Sequence, residues 1–236
     1  MLEPKRLART AGFLYLLVGV FGGFAEGYVD PKIFVPGSAA ATAGNLVAHG
    51  GMVRLGVVAH LLDGTCFVFL AMLLYDLLKP VHAGLARAML ILVALATAIL
   101  CLNAVFEFEA LRVACDDAAA AALGAAGANA LALVLMDLQH YGTLAAQVFF
   151  GLWLVPLGIL AHRSGYFPKW LAVTLVAGGV CYLVDLLAAF LAPALSLTIH
   201  ATVIIPSAVA EISMVLYLLI VGVKDRTLPE GPRPVG

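Results

Sequence analysis

LARAMLILVALATAILCLNAVFEFEAL, residues 85–111, decides the fold. Between Arg87 and Glu107 it carries no charged side chain. A bilayer core about 30 Å thick needs about 20 apolar residues of helix to cross it, and this stretch supplies them. Water could not solvate such a run, so the solvent around it is lipid.

Five further stretches read the same way, giving spans at roughly 7–28, 52–78, 85–111, 129–162, 168–192 and 199–223. The composition agrees: of 236 residues only 11% are charged and 64% are hydrophobic. A soluble domain carries about a quarter of its residues as Asp, Glu, Lys and Arg. The expectation is an all-α fold, one six-helix transmembrane bundle over 1–223 followed by a Pro-rich disordered tail over 224–236. The fourth stretch is too long for an upright span and must tilt or protrude, with Pro156 the candidate kink. Residues 118–130 are Ala-rich and read as a short helix or a flexible outer loop. Asp30-Pro31, Pro36-Gly37 and Gly50-Gly51 punctuate the first loop as turns.

Basic residues orient the bundle. Lys5, Arg6, Arg9, Lys79, Arg87, Arg163, Lys169, Lys224, Arg226 and Arg233 fall on one side, and Lys32, Arg54 and Arg112 on the other. This places both termini in the cytoplasm of a cell with the chain as a multi-pass protein of the cell membrane. The apolar stretch after Lys5, Arg6 and Arg9 is longer than a signal-peptide core of about 7 to 15 residues, so a retained first helix is expected. A net charge of -1 with no long basic run gives nucleic acid no footprint. Cys66, Cys101 and Cys181 lie in apolar runs and only Cys115 in a loop, so no disulfide framework is expected.

Ionisable groups within such helices cost roughly 2.5 to 3.5 kcal/mol each on insertion scales, which makes them candidates for function. Counting about 1.5 Å per residue from the cytoplasmic basic residues puts Glu26, His60, Glu107, Glu109, His140 and His200 near the outer boundary. Arg54 and Asp137 fall just beyond it. Asp63 and Asp185 lie about 6 to 8 Å inside and Glu211 about 12 Å inside. Residues three, four or seven apart share a helix face, which groups His60 with Asp63, Asp137 with His140, and His200 with Ser207 and Glu211. The picture is an outward-facing polar cup holding Glu26, Arg54, Asp63, Asp137, Asp185 and Glu211, above an inner half with almost nothing polar. Several of these, Glu26, Glu107, Asp137 and His200 among them, are close enough to water to be interfacial only.

Three functions fit such a cup: binding of a small molecule, lipid headgroup or ion; hydrolysis by a membrane-embedded metal enzyme; and secondary transport coupled through Glu211. His60, Asp63, His140 and His200 are candidate ligands for a divalent metal, since imidazole and carboxylate suit zinc and its neighbours. His60, His140 and His200 also offer axial ligands for a b-type haem. Neither HExxH nor CxxC is present. The expected partners are the bilayer and a small molecule or lipid, and the sequence leaves room for a homo-oligomer. Gly22-Gly23 and Gly178-Gly179 read as places where helices approach closely.

Several segments taken in order resemble the bacterial domain of unknown function 4386 family. They are Phe24-Ala25-Glu26-Gly27, Pro36-Gly37 with Asn45, Arg54-Leu55-Gly56, Asp137-Leu138 with Tyr141-Gly142, Phe149-Phe150-Gly151, Arg163-Ser164-Gly165-Tyr166, Tyr182-Leu183-Val184-Asp185 and Glu211. The chain departs from the pattern after Asp137-Leu138, where Gln139 precedes His140. The resemblance implies a bacterial six-span membrane protein and draws attention to Glu26, Arg54, Asp137, Asp185 and Glu211. It implies no activity.

Overall fold

The computed structural model describes residues 3–224, and among them every regular element is helical. Helix α1 (Pro4–Phe24) runs through one π-helical turn (Ala25–Val29) into the short α2 (Asp30–Ile33). Then follow α3 (Ala39–Ala48), α4 (Gly50–Leu78), α5 (Ala83–Cys115), α6 (Asp117–Ser164), α7 (Lys169–Leu191) and α8 (Pro193–Ile220). Six segments are long and apolar enough to cross a bilayer: Pro4–Ile33, α4, α5, α6, α7 and α8. That is the architecture of a multi-pass membrane protein. Of the predicted tail, residues 225–236 lie outside the described residues.

Apart from the segment that holds α3, the connections between the long helices are short, which forces those consecutive spans to run antiparallel. Each span packs on the next, α4 on α5, α5 on α6, α6 on α7 and α7 on α8, and α1 closes the circle by packing on both α4 and α8. The starts of α1, α5 and α7 and the ends of α4, α6 and α8 share one end of this ring, called here the terminal end. Missing side chains set the closest approaches. A Cβ on Gly179 would lie 2.5 Å from the Gly151 carbonyl oxygen, one on Gly178 3.0 Å from Ser207 Cα, and one on Gly12 2.8 Å from Leu218 Cβ. The expected close packing at Gly178-Gly179 is therefore found, while Gly23 meets nothing.

Two apolar layers enclose a polar one. Toward the terminal end Ala8, Leu74, Met89, Leu157, Leu171, Met214 and their neighbours form a dry plug. The far end is covered by a second cluster, Val29, Ile33, Leu46, Val53, Leu111 and Met136, in which α3 lies across α4, α5 and α6. The first loop is thus more than a string of turns. Thr42 Oγ1 accepts from the Val35 backbone N–H at 3.1 Å, and Asn45 Nδ2 donates to the Ile33 carbonyl at 3.2 Å, which fastens α3 to the end of α2.

Of the two readings of residues 118–130 the helical one is found, and Cys115 is placed differently from expectation. Helix α5 reaches Cys115, which is exposed at the helix end rather than in a loop. Asp116 then caps α6, its Oδ1 accepting from the Ala118 N–H at 2.9 Å. The break in α6 falls at Gly124, whose φ of 73° and ψ of 156° suit glycine alone. Pro156 is buried inside the helical stretch that follows.

Candidate functional site

Between the two apolar layers the ring encloses a cavity of about 410 Å³. Its polar lining is Glu26, Asp63, Thr143, Gln147, Tyr182, His200 and Glu211, and its aromatic wall is Tyr15, Phe67, Phe150, Trp153 and Tyr182. No Lys or Arg lines it among the described residues. The floor is rigid. Trp153 meets Tyr15 edge-on at 5.7 Å and Phe67 at 5.0 Å between centroids, and Phe67 stacks on Phe150 at 5.8 Å.

The acidic groups arrive from three spans. Asp63 on α4 is 5% exposed and its Oδ1 has no hydrogen-bond partner among the described residues. A Cβ on Gly22 would touch its carboxylate at 3.6 Å, so α1 passes directly over it. Glu211 on α8 lies within electrostatic reach of Tyr15 and Tyr182. Glu26 occupies the π-helical turn, whose extra residue widens the helix and re-aims side chains, a feature frequent at functional sites.

The cavity opens to the side. Helices α1 and α8 touch at Gly12 and Leu218, yet a Cβ added at Gly19, Gly23 or Gly27 would meet nothing within 4 Å. Those three glycines and Glu26 are exposed, as is His200 on the facing part of α8. The gap follows α1 from its middle toward the far end of the bundle.

The other expected cup residues stand elsewhere. Asp185, 1% exposed, faces His200 Nδ1 at 2.9 and 3.0 Å and ties α7 to α8. Ser207 donates to the Gly178 carbonyl at 2.7 Å and serves the same junction. Arg54 is exposed, its guanidinium 5.5 Å from the Phe108 ring centre, and Asp137 is half-buried away from the cavity. Glu109 pairs with Arg112 at 2.9 Å on the surface.

His60, Asp63, His140 and His200, the candidate metal ligands, stand in different surroundings. Asp63 points into the cavity, His200 binds Asp185, and His140 packs against Phe34 and Tyr141 with ring centres 5.3 Å away in each case. Of the three histidines considered for haem, only His200 lines the cavity. His60 belongs to a separate cluster on the far-end side. Its Nε2 lies 4.0 Å from Asp30 Oδ2 and 3.7 Å from Glu107 Oε2, and all three groups can place a donor atom within 4.8 Å of the others. Gln139 Nε2 donates to Asp30 Oδ2 at 2.9 Å.

The sequence reads Asp30 as a turn residue and Glu107 as one close to the outer boundary. In the structure Asp30 begins the helical α2 and is half-buried, and Glu107 is 1% exposed, at an end of the bundle that α3 crosses. A signal was present, since no Asp, Glu, Lys or Arg occurs between Lys32 and Arg54. A solvated loop of that length would carry charge.

No curated protein and no solved structure matches the chain. The DUF4386 family model, described as a domain of unknown function, matches residues 10–222, and the chain belongs to that family.

Proposed function

We propose that the cavity binds the ammonium headgroup of an amphiphile drawn sideways from the bilayer through the gap between α1 and α8. The observation that carries this reading is the lining itself: three carboxylates, Glu26, Asp63 and Glu211, beside five aromatic rings and no cationic Lys or Arg among the described residues. Carboxylates in a poorly solvated space favour a cation as their partner. Aromatic faces within about 6 Å add cation–π attraction of about 0.5 to 2 kcal/mol and suit ammonium groups well. The volume of about 410 Å³ falls in the range of small-molecule sites. An opening along the helix flank gives an apolar tail a place in lipid while the head is inside.

The reading includes a topology. With Lys5, Arg6, Arg9, Lys79, Arg87, Arg163 and Lys169 at the terminal end, both termini are cytoplasmic and the cavity lies in the outer half of the cell membrane.

Native mass spectrometry tests it. The chain is released from nanodiscs holding phosphatidylethanolamine, phosphatidylcholine or phosphatidylglycerol, with tetramethylammonium as a soluble competitor. Lipids bearing an ammonium should stay bound to the wild-type chain and be lost from Glu211→Gln and Asp63→Asn. Equal retention of phosphatidylglycerol, or retention indifferent to both substitutions, contradicts the proposal. Displacement by tetramethylammonium without any lipid retained would assign the cavity to a soluble cation instead.

A further inference from the structure

The cluster of Asp30, His60 and Glu107 does not line the cavity and makes a different kind of site. We infer that it binds one divalent transition-metal ion, zinc foremost, through His60 Nε2 and a carboxylate oxygen from each of Asp30 and Glu107. Three elements converge on this point, since Asp30 begins α2, His60 is on α4 and Glu107 is on α5.

Burial comes first. His60 is 2% and Glu107 1% exposed, and Asp30 is half-buried. Both ring nitrogens of His60, Glu107 Oε2 and Asp30 Oδ1 have no hydrogen-bond partner among the described residues. Polar groups so buried are nearly always satisfied, and leaving one unmet costs about 1 to 3 kcal/mol. Something that satisfies several acceptors at once fits this cluster better than further pairing among its members.

Spacing gives the second argument. At 3.7 and 4.0 Å the His60 nitrogen is too far from either carboxylate oxygen for a hydrogen bond. Zinc holds nitrogen and oxygen ligands at about 2.0 to 2.2 Å in a tetrahedron, which sets neighbouring donors about 3.4 Å apart. The two gaps to His60 Nε2 exceed that by a few tenths of an ångström and all three donors lie within 4.8 Å of one another, a spread that side-chain adjustment can close. Mixed imidazole and carboxylate donors suit zinc, or manganese as the harder competitor.

Charge gives the third. Two carboxylates, a neutral imidazole and a divalent cation sum to zero, the favourable total for a buried site in a membrane. Gln139, which donates to Asp30 Oδ2, would orient that ligand as outer partners of metal sites do. Glycine at position 56 leaves the room, since a Cβ there would lie 3.3 Å from Glu107 Oε1 and 3.0 Å from Val29 Cγ1. The site would join the end of α1 and its π-helical turn to α4 and α5, holding the far end of the bundle together.

Elemental analysis of the chain, purified through a tag that binds no metal and dialysed against zinc, tests this. About one zinc per chain is expected in the wild type and in the surface control Glu109→Gln. His60→Ala and Glu107→Gln should bind it at least about tenfold more weakly. A folded wild-type chain that takes up neither zinc nor manganese overturns the proposal, and so does metal retained undiminished in both variants. If the variants do not fold, pulsed electron paramagnetic resonance of the manganese-loaded wild type decides. Coupling to a single imidazole nitrogen supports the site, and its absence overturns it.

Discussion

Replacing His200 with Ala isolates the tie between α7 and α8. The Asp185 carboxylate is 1% exposed, and His200 Nδ1 faces both its oxygens at 2.9 and 3.0 Å. Removing one member of such a pair leaves a buried carboxylate without that partner. Hydrogen bonds to charged groups contribute about 1.5 to 3 kcal/mol where both members are buried. The His200 side chain is 55% exposed, so solvent screening moves the figure toward about 1 kcal/mol. His200→Ala should therefore lower unfolding stability by about 1 to 2 kcal/mol, and Asp185→Asn by a similar amount. The double variant should lose little more than either alone, with a coupling energy of about 1 to 2 kcal/mol. Unfolding in mixed detergent micelles, followed by circular dichroism, measures all four corners of the cycle. Additive losses, with no coupling beyond error, would refute the claim that the two side chains act as a pair.

Other expectations follow from the same geometry. Gly179→Ala places a Cβ 2.5 Å from the Gly151 carbonyl oxygen and should destabilise the chain by about 1 to 3 kcal/mol in the same unfolding assay, because backbone rather than a flexible side chain must move. Gly23→Trp, where an added Cβ meets nothing within 4 Å, should leave stability within about 0.5 kcal/mol yet obstruct the gap between α1 and α8 and slow lipid capture in nanodiscs. Gly56→Ala should disturb the Asp30, His60 and Glu107 cluster through Val29 and Glu107 and reduce zinc retention without changing lipid retention. A membrane-impermeant maleimide should label Cys115, exposed at the far end of α5, from the outer side of intact cells; labelling only after the cells are broken would reverse the proposed orientation.

The six spans were legible because lipid imposes one demand, long runs without charge, that no tertiary context disguises. The common level of three carboxylates was legible too. Counting residues along straight helices set Glu26, Asp63 and Glu211 in one half of the bundle, and they line one cavity. Counting fails where helices stop being straight or where something covers their ends. Asp30 follows the π-helical turn, and Asp30-Pro31 resembles a turn because proline serves equally well in the first turn of a helix. Glu107 is 1% exposed, at an end of the bundle that α3 crosses. Face assignment did not settle what a side chain meets, even within one helix. His60 and Asp63 are three apart on α4, yet one looks toward the covered far end and the other into the cavity. Which residues of different helices meet depends on the order around the ring, and periodicity does not encode that.

Trp153 in the cavity wall offers the most direct test of the proposed binding. With the exposed Trp170 replaced by Phe, its fluorescence reports on the cavity alone. Titration with a short-chain alkyl trimethylammonium should shift that emission and saturate. Glu211→Gln should weaken the affinity at least about tenfold, equivalent to about 1.4 kcal/mol. An isotherm unchanged by Glu211→Gln and Asp63→Asn, or a matching alkyl sulfonate binding equally well, would contradict an ammonium site in this cavity.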